Sequence, residues 1–386
     1  MPKQKLIRIT TVPLSLEKLL EGQLAFMSEH FQVIAVSSDK ERLERYGKKE
    51  GVAVFHLELT RKITPFKDLR AVYKLYRFLK KEKPLIVHTH TPKAGTVGML
   101  AAWLAKVPLR LHTVAGLPLM EASGFKRFVL NTVEKWTYAW ATHVYPNSHG
   151  LYDFILSERF TRPYKLKVLG NGSSNGIDLS YFDPNLFPKQ SNLLCKEQLG
   201  IPETNTVFLF VGRVVKDKGI TELIDAFIRL HKEHNSCTLL LVGPLEAELD
   251  PLPMQTSRYI ENHPNIVSVG YQQDVRPYFA ISDLLVFPSY REGFPNVVLQ
   301  ANAMRLPAIV TNINGCNEII THGYNGIIIP VKDTDSVYHA MKKLKNDKVL
   351  YDQLTLHARN EIVEKYDRNE IRNALLTEYR ALQAKL

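Results

Sequence analysis

The sequence predicts an α/β protein of two doubly wound, Rossmann-like domains that face an interdomain cleft. Three observations predict it. A chain of 386 residues exceeds what one hydrophobic core organises. Short β-branched runs alternate with amphipathic stretches of helical period, the pattern of right-handed βαβ units and parallel sheets. The alternation pauses once, at the turn-rich Gly170-Asn-Gly-Ser-Ser-Asn-Gly176 and Asp183-Pro184, and then resumes.

Before the pause, strands are expected over 5–11, 32–37, 85–89, 109–113 and 143–147, with helices over 16–29, 68–81, 95–105 and 126–140. After it, strands are expected over 206–212, 237–242, 266–269, 284–288, 308–311 and 326–329. The helices between them are expected over 219–233, 274–280, 295–304 and 335–344. A last helix follows the break at Tyr366-Asp367. The expected domains are therefore 1–175 and 191–365, joined by a linker over 176–190, with 366–386 packing back on the first domain.

Composition excludes several classes. The hydrophobic fraction of 45% and charged fraction of 23% are ordinary for a globular protein. Cys195, Cys237 and Cys316 are too few and scattered for a disulfide framework or a thiolate metal site, and fit a reducing cytoplasm. No signal-peptide pattern opens the chain, and no apolar run approaches the roughly 18 residues of a spanning helix, so a non-spanning protein is expected. The net charge of +11 is one-sided. Residues 1–185 hold 28 Lys and Arg against 16 Asp and Glu, whereas residues 186–386 hold 22 against 23. Such asymmetry points to a polyanionic partner of the first half, nucleic acid or acidic lipid.

Two constellations carry chemistry. In Val211-Gly212-Arg213-Val214-Val215-Lys216-Asp217-Lys218-Gly219, a strand ends on Gly–Arg, which puts a guanidinium at the carboxyl edge of a sheet. Lys218 arrives near the next helix start, where free N–H groups and the dipole favour an anion. Arg offers a planar fork and Lys a point charge, a sound pair for a diphosphate. An isolated pair of this kind reads equally well as two solvated loop cations. In the second, Pro288-Ser-Tyr-Arg-Glu-Gly-Phe-Pro-Asn-Val-Val-Leu-Gln300, a strand ends at Pro288 and Pro295 suits a helix's first turn. Gly293 permits close backbone approach, the amides of Phe294, Asn296 and Val297 can face a phosphate, and Gln300 lies one turn on. Glu292 would repel that phosphate, but makes sense if it grips sugar hydroxyls just beyond it.

Gly-Arg-x4-Lys-Gly followed about seventy residues later by Glu-Gly-Phe-Pro and a helix resembles the retaining family-4 glycosyltransferases of the GT-B fold. Further matches are Val87-His88-Thr89-His90-Thr91-Pro92-Lys93-Ala94-Gly95, Asn175-Gly176-Ile177-Asp178 and Gly270-Tyr271-Gln272-Gln273-Asp274-Val275. The resemblance spans nearly the whole chain and is nearest to bacterial enzymes of capsule, O-antigen and lipid-linked oligosaccharide assembly. It implies a nucleotide diphosphate sugar donor, with UDP expected, and an acceptor saccharide on a lipid of undecaprenyl-diphosphate type. Arg213 and Lys218 would act on the donor diphosphate and Glu292 on the donor sugar. Gly212, Gly293, Phe294, Asn296 and Val297 would help hold the donor, Gln300 its ribose and Tyr271 its base. The family needs no metal, so neither cofactor nor metal is expected.

The chain departs from that family at three places. The usual E-x7-E pair is Glu292 and Gln300, which keeps a hydroxyl acceptor but loses a charge-assisted bond. The loop where relatives carry His before Gly reads His112-Thr113-Val114-Ala115-Gly116, leaving His112 on the strand as a substitute or a buried residue. The double-Gly loop near the donor phosphate is reduced to Glu21-Gly22-Gln23. On the acceptor side, His90 and Lys93 at the end of their strand are cleft-lining or phosphate-contacting candidates beside His112, and no third ligand completes a metal set.

The segment 61–83 holds nine Lys and Arg interleaved with Phe66, Leu69, Val72, Tyr73, Leu75, Tyr76, Phe78 and Leu79. The segment 117–140 mixes Pro118, Met120, Phe125, Phe128, Trp136, Tyr138 and Trp140 with Lys126 and Arg127. Their apolar residues suit a core face, while their cations suit an anionic membrane surface. The expected partners are thus a donor, a lipid-linked acceptor and the cytoplasmic face of a membrane, and not nucleic acid. The alternatives are a nucleotide-sugar epimerase of similar fold and a non-enzymatic polyanion-binding module.

Overall fold

A computed structural model describes residues 3–60, 64–117, 119, 122–246 and 250–386. The chain forms two compact units, Met1–Asn175 with Asn369–Leu386, and Gly176–Arg368.

The first unit is one parallel sheet in the order β3-β2-β1-β4-β5-β6. The strands are β1 (Lys5–Ile9), β2 (Gln32–Ser37), β3 (Ala53–His56), β4 (Ile86–His90), β5 (Leu109–Val114) and β6 (His143–Pro146). Strand order reverses between β1 and β4, the switch point where ligands of such sheets collect. Alternate residues of each strand supply two cores. Ile7, Ile9, Val87 and Val144 pack under the helices Pro65–Glu82, Pro92–Leu104 and Gly124–Trp140, which lie side by side. Leu6, Val33, Ile86 and Leu111 pack with Leu16, Leu24, Leu43, Tyr46, Leu375 and Tyr379 on the other face. The helix expected over 16–29 is two, Pro13–Leu19 and Gln23–Ser28, because Gly22 turns left-handed between them at φ +65°. Edge strand β3 and the helix Lys40–Glu50 were not expected.

The second unit repeats the plan in the order β12-β11-β10-β7-β8-β9. Its strands are β7 (Thr206–Val211), β8 (Cys237–Val242), β9 (Ile266–Ser268), β10 (Leu284–Phe287), β11 (Ala308–Thr311) and β12 (Gly326–Ile329). The near-continuous apolar runs of β7 and β8 are buried on both faces, as parallel sheets require. The stretch 176–190 belongs to this unit, with Ile177 and Phe182 in its core. Ile177 donates to the Tyr366 carbonyl (2.9 Å) and accepts from the Arg368 amide (2.9 Å). A Cβ on Gly176 (φ +60°) would sit 2.6 Å from the Tyr366 carbonyl, so the Asn-Gly-Ile-Asp motif is a close crossing of two chain segments. Among the described residues, no helix is long and apolar enough to cross a membrane.

Candidate active site

In the second unit, β7 runs into Gly212 and β8 into Gly243, at φ +153° and +149°. A Cβ on Gly243 would overlap the Gly212 carbonyl, so glycine alone lets these strand ends touch. Gly212 donates to the Val242 carbonyl (2.9 Å), Val214 donates to the Pro244 carbonyl (2.9 Å), and a Val214–Leu245 bridge carries the pairing beyond both strands. That register sets Arg213 against Glu246, with Nη1 3.1 Å from Oε2, while Nη2 lies 3.9 Å from Asp217 Oδ2.

The turn Lys216–Lys218 leads to Gly219 (φ +70°), which starts the helix Ile220–Glu233. A Cβ on Gly219 would overlap the Pro288 carbonyl. This approach seats Lys218 beside the end of β10. There its Nζ donates to Glu292 Oε1 (2.5 Å) and lies 3.5 Å from Ser289 Oγ. The Ser289 hydroxyl is 3.1 Å from the same carboxylate oxygen. Lys218 and Glu292 are only 13% and 18% exposed, so water screens their attraction little.

The loop carrying Glu292 is fastened at several points. Thr311 Oγ1 donates to the Ser289 carbonyl, and Asn314 Nδ2 donates to the Glu292 (3.2 Å) and Gly293 (2.5 Å) carbonyls. Tyr290 donates its amide to the Asp217 carbonyl (2.9 Å), and Arg291 pairs with Asp217 (2.9 Å). Gly315 comes so close that a Cβ would lie 2.6 Å from the Gly293 carbonyl. Cys316 is buried near this loop; burial, then Glu292, pushes its thiol well above the ordinary range. Phe294 is buried against the Tyr366 ring (5.5 Å), Pro295 caps the helix Asn296–Ala303 without a side-chain bond, and Gln300 is half-buried one turn on. Gly243 donates to the Gly270 carbonyl (2.8 Å), which brings the exposed Tyr271 to this sheet edge.

Arg213, Lys218, Glu292 and the expected backbone positions around them thus lie on one edge. Two cations, a helix start and a braced carboxylate can hold an anion beside a hydroxyl-bearing group. Sequence reasoning missed Asp217, Glu246, Ser289 and Asn314. The signal for Glu246 was available: Gly243-Pro244 ends a strand and an acid follows, mirroring Gly212-Arg213.

The acceptor-side candidates in the first unit do not converge. His88 and His90 project from the same face of β4, with ring centroids 4.3 Å apart. His88 is bonded to Tyr379 OH (2.6 Å) and Thr113 Oγ1 (2.7 Å), whereas both ring nitrogens of buried His90 lack a partner among the described residues. Burial, then the guanidinium of buried Arg8, holds both imidazoles well below the usual histidine range. His112 lies on the opposite face, bonded to Thr89 Oγ1 (2.8 Å) and pressed on Gly95. Lys93 pairs with Asp68, which also accepts from the Thr64 amide (3.2 Å). Gly22 spends its amide on Glu50 Oε1 (3.1 Å), and Ala25 bonds Oε2 (3.1 Å), so the first of these amides is not available to a phosphate. Arg372 further crowds Gly22, 2.5 Å from where a Cβ would be. Gly22 is a left-handed turn residue whose amide is bonded within the first unit. Among the described residues, no three His, Cys, Asp or Glu side chains group as a metal needs.

On the outer helix layer, Val72, Leu75, Leu79 and Tyr138 are buried, but Phe66 (91% exposed), Leu69, Tyr73, Phe125 (81%), Phe128 and Trp136 face outward. The expectation that the apolar residues belong to the core therefore holds for only part of each segment. Arg61, Lys62, Pro118 and Met120 lie outside the described residues.

Residues 194–361 match the family described as Glycosyl transferases group 1, and residues 22–172 match the Glycosyl transferase 4-like domain. The chain is 33% identical to the capsular polysaccharide biosynthesis glycosyltransferase CapM of Staphylococcus aureus, over 95% of this chain and 94% of that protein. It is 30% identical to an Escherichia coli enzyme named UDP-Gal:alpha-D-GlcNAc-diphosphoundecaprenol alpha-1,3-galactosyltransferase, over 88% and 86% of the two chains. The fold is similar to Alr3699/HepE of Anabaena in complex with UDP and glucose, with a TM-score of 0.81 at 17% identity over 98% of this chain and all of that one.

Proposed function

The chain belongs to the group 1 glycosyl transferases, and from that membership we propose that it moves a hexose or N-acetylhexosamine from a UDP-sugar, with retention, to a saccharide carried on undecaprenyl diphosphate in surface-polysaccharide synthesis. The observation that carries this reading is the grouping of Arg213, Lys218 and Glu292 on the carboxyl edge of the second sheet. The E. coli relative's name, with a UDP donor and a diphosphoundecaprenol acceptor, supports the choice of both substrates.

Arg213 and Lys218 hold the donor diphosphate and stabilise the charge that grows on it as the glycosidic bond breaks. The amides at the start of Asn296–Ala303 face the phosphate or sugar, Gln300 accepts from a ribose hydroxyl, and Tyr271 flanks the base. Glu292, braced by Lys218 and Ser289, accepts from sugar hydroxyls. Retention follows from substitution on the same face of the sugar, through an oxocarbenium-like transition state in which the leaving diphosphate is stabilised. Of the acceptor-side candidates we keep His90, whose ring nitrogens are unpaired and which lines a narrow cavity with Asn147 at the ends of β4 and β6. The first unit docks on anionic lipid at the inner membrane face through the outward Phe66, Phe125 and Phe128 and neighbouring cations. The reaction is proposed to be metal-independent, and EDTA should leave the rate unchanged.

The test is incubation with UDP-sugars and GlcNAc-diphosphoundecaprenol in detergent, with the anomer of the product read by NMR. Transfer with retention is expected. Acceptor-independent conversion of a UDP-sugar to its epimer would replace this reading with the epimerase one.

A further inference from the structure

The Arg213–Glu246 pair is built by the backbone. Segment 243–246 continues β8 beside the extension of β7 through the Gly212–Gly243 contact, the Val214–Pro244 hydrogen bond and the Val214–Leu245 bridge. Asp250 Oδ2 accepts from the Asp217 amide at the end of the Arg213–Asp217 turn (2.6 Å). Glu246 is therefore delivered to Arg213 by strand register, unlike a flexible surface partner that finds it by chance. A carboxylate fixed on a cation that is to receive a diphosphate opposes the ligand, and the fold holds it there nonetheless.

The opposition is not equal for substrate and product. A nucleoside diphosphate sugar carries two negative charges on its diphosphate. When the glycosidic C–O bond breaks, the bonding pair stays with the leaving oxygen and the free nucleoside diphosphate carries about one charge more at neutral pH. A fixed negative charge nearby weakens the product more than the donor. We infer that Glu246 is a positioning residue for product release: it holds Arg213 in the empty site, and its charge selects against the extra charge of the departing nucleoside diphosphate. The inference rests on the proposed donor site at Arg213. One unit of charge about 3–4 Å away, screened by water at its bulk dielectric, changes a binding constant by roughly five- to tenfold.

The experiment is calorimetric titration of the full chain and its Glu246→Gln and Glu246→Asp variants with UDP and with UDP-glucose, UDP-galactose and their N-acetyl-hexosamine counterparts. In Glu246→Gln both ligands should tighten, UDP about five- to tenfold more than the UDP-sugar, with product inhibition by UDP rising in step. Glu246→Asp should keep the wild-type ratio of the two affinities, a result that a merely structural role would not give. Equal tightening of both ligands, or weakening of UDP, overturns the inference. Arg213→Ala separates the two failures: if it binds UDP as the wild type does, or if the wild type binds none of these ligands, the donor site itself is misplaced and the inference falls with it.

Discussion

Neutralising Lys218 and Glu292 singly and together separates what that pair does for the fold from what it does for the reaction. The pair is close, at 2.5 Å, and largely buried. Breaking a fully buried ion pair by removing one partner costs about 3–5 kcal/mol, since it strands the other charge. At these exposures, and with Ser289 still beside the carboxylate, Lys218→Met should cost about 2 kcal/mol, or roughly 4–8 °C in melting temperature for a unit of this size. Lys218→Met/Glu292→Gln strands no charge and should recover most of that loss. Turnover should behave differently, falling at least about a hundredfold in both variants, because the leaving diphosphate loses Lys218 either way. Thermal unfolding and sugar transfer on the same preparations give both numbers. If the double variant regains turnover with stability, Lys218 is only a brace for the loop and the assignment is wrong.

Arg213→Ala should also cut turnover at least about a hundredfold, with little change in melting temperature because the side chain is 41% exposed; near-normal turnover removes it from the site. Acid should destabilise the first unit through His112, which burial holds down at about 4. Between that value and the unfolded chain's roughly 6.5, only the unfolded state binds the proton, so stability falls from pH 6.5 towards 4 by roughly 3 kcal/mol and is unaffected above. His112→Gln should flatten part of that slope in urea titrations at pH 7.5 and 5, with His88 and His90 supplying the remainder, and an unchanged slope refutes this. Phe66→Ser/Phe125→Ser/Phe128→Ser should weaken binding to anionic vesicles at least tenfold without changing the fold, since all three rings are solvent-facing. Equal flotation of wild type and variant, or of neutral and anionic vesicles, rejects this docking face.

The proposed donor site is legible in the sequence because its main residues sit just beyond strand ends, where a strand–Gly–charge pattern shows in a few consecutive letters. Arg213, Lys218 and Glu292 stand out as candidates in that way. Ser289 and Asn314 do not, because they act through contacts between β10 and β11 that no local period encodes. His90 and His112 looked alike as strand histidines, yet strand pairing sets His112 opposite Thr89, and the period of two then puts it across the sheet from His90. β3 escaped notice because 53–56 is a short, half-buried edge without clear alternation. The helix Lys348–Tyr366 escaped for a related reason: its buried positions, Leu354, Ala358, Glu361, Ile362 and Tyr366, mix apolar with acidic residues.

The return of residues 369–386 to the first unit has a consequence for synthesis. Leu375, Leu376, Tyr379 and Leu382 fill one of that unit's two cores, and the Tyr379 hydroxyl takes a hydrogen bond from the fully buried Arg8 (3.0 Å). A nascent chain can finish the second unit once residue 368 has left the ribosome, while the first, although begun earlier, still lacks a helix. Until that helix arrives, Arg8 and the apolar face around Leu6 and Leu111 remain open to water or to other chains. The unit begun first can thus be completed only last, which exposes the incomplete first unit to chaperones and proteases during synthesis.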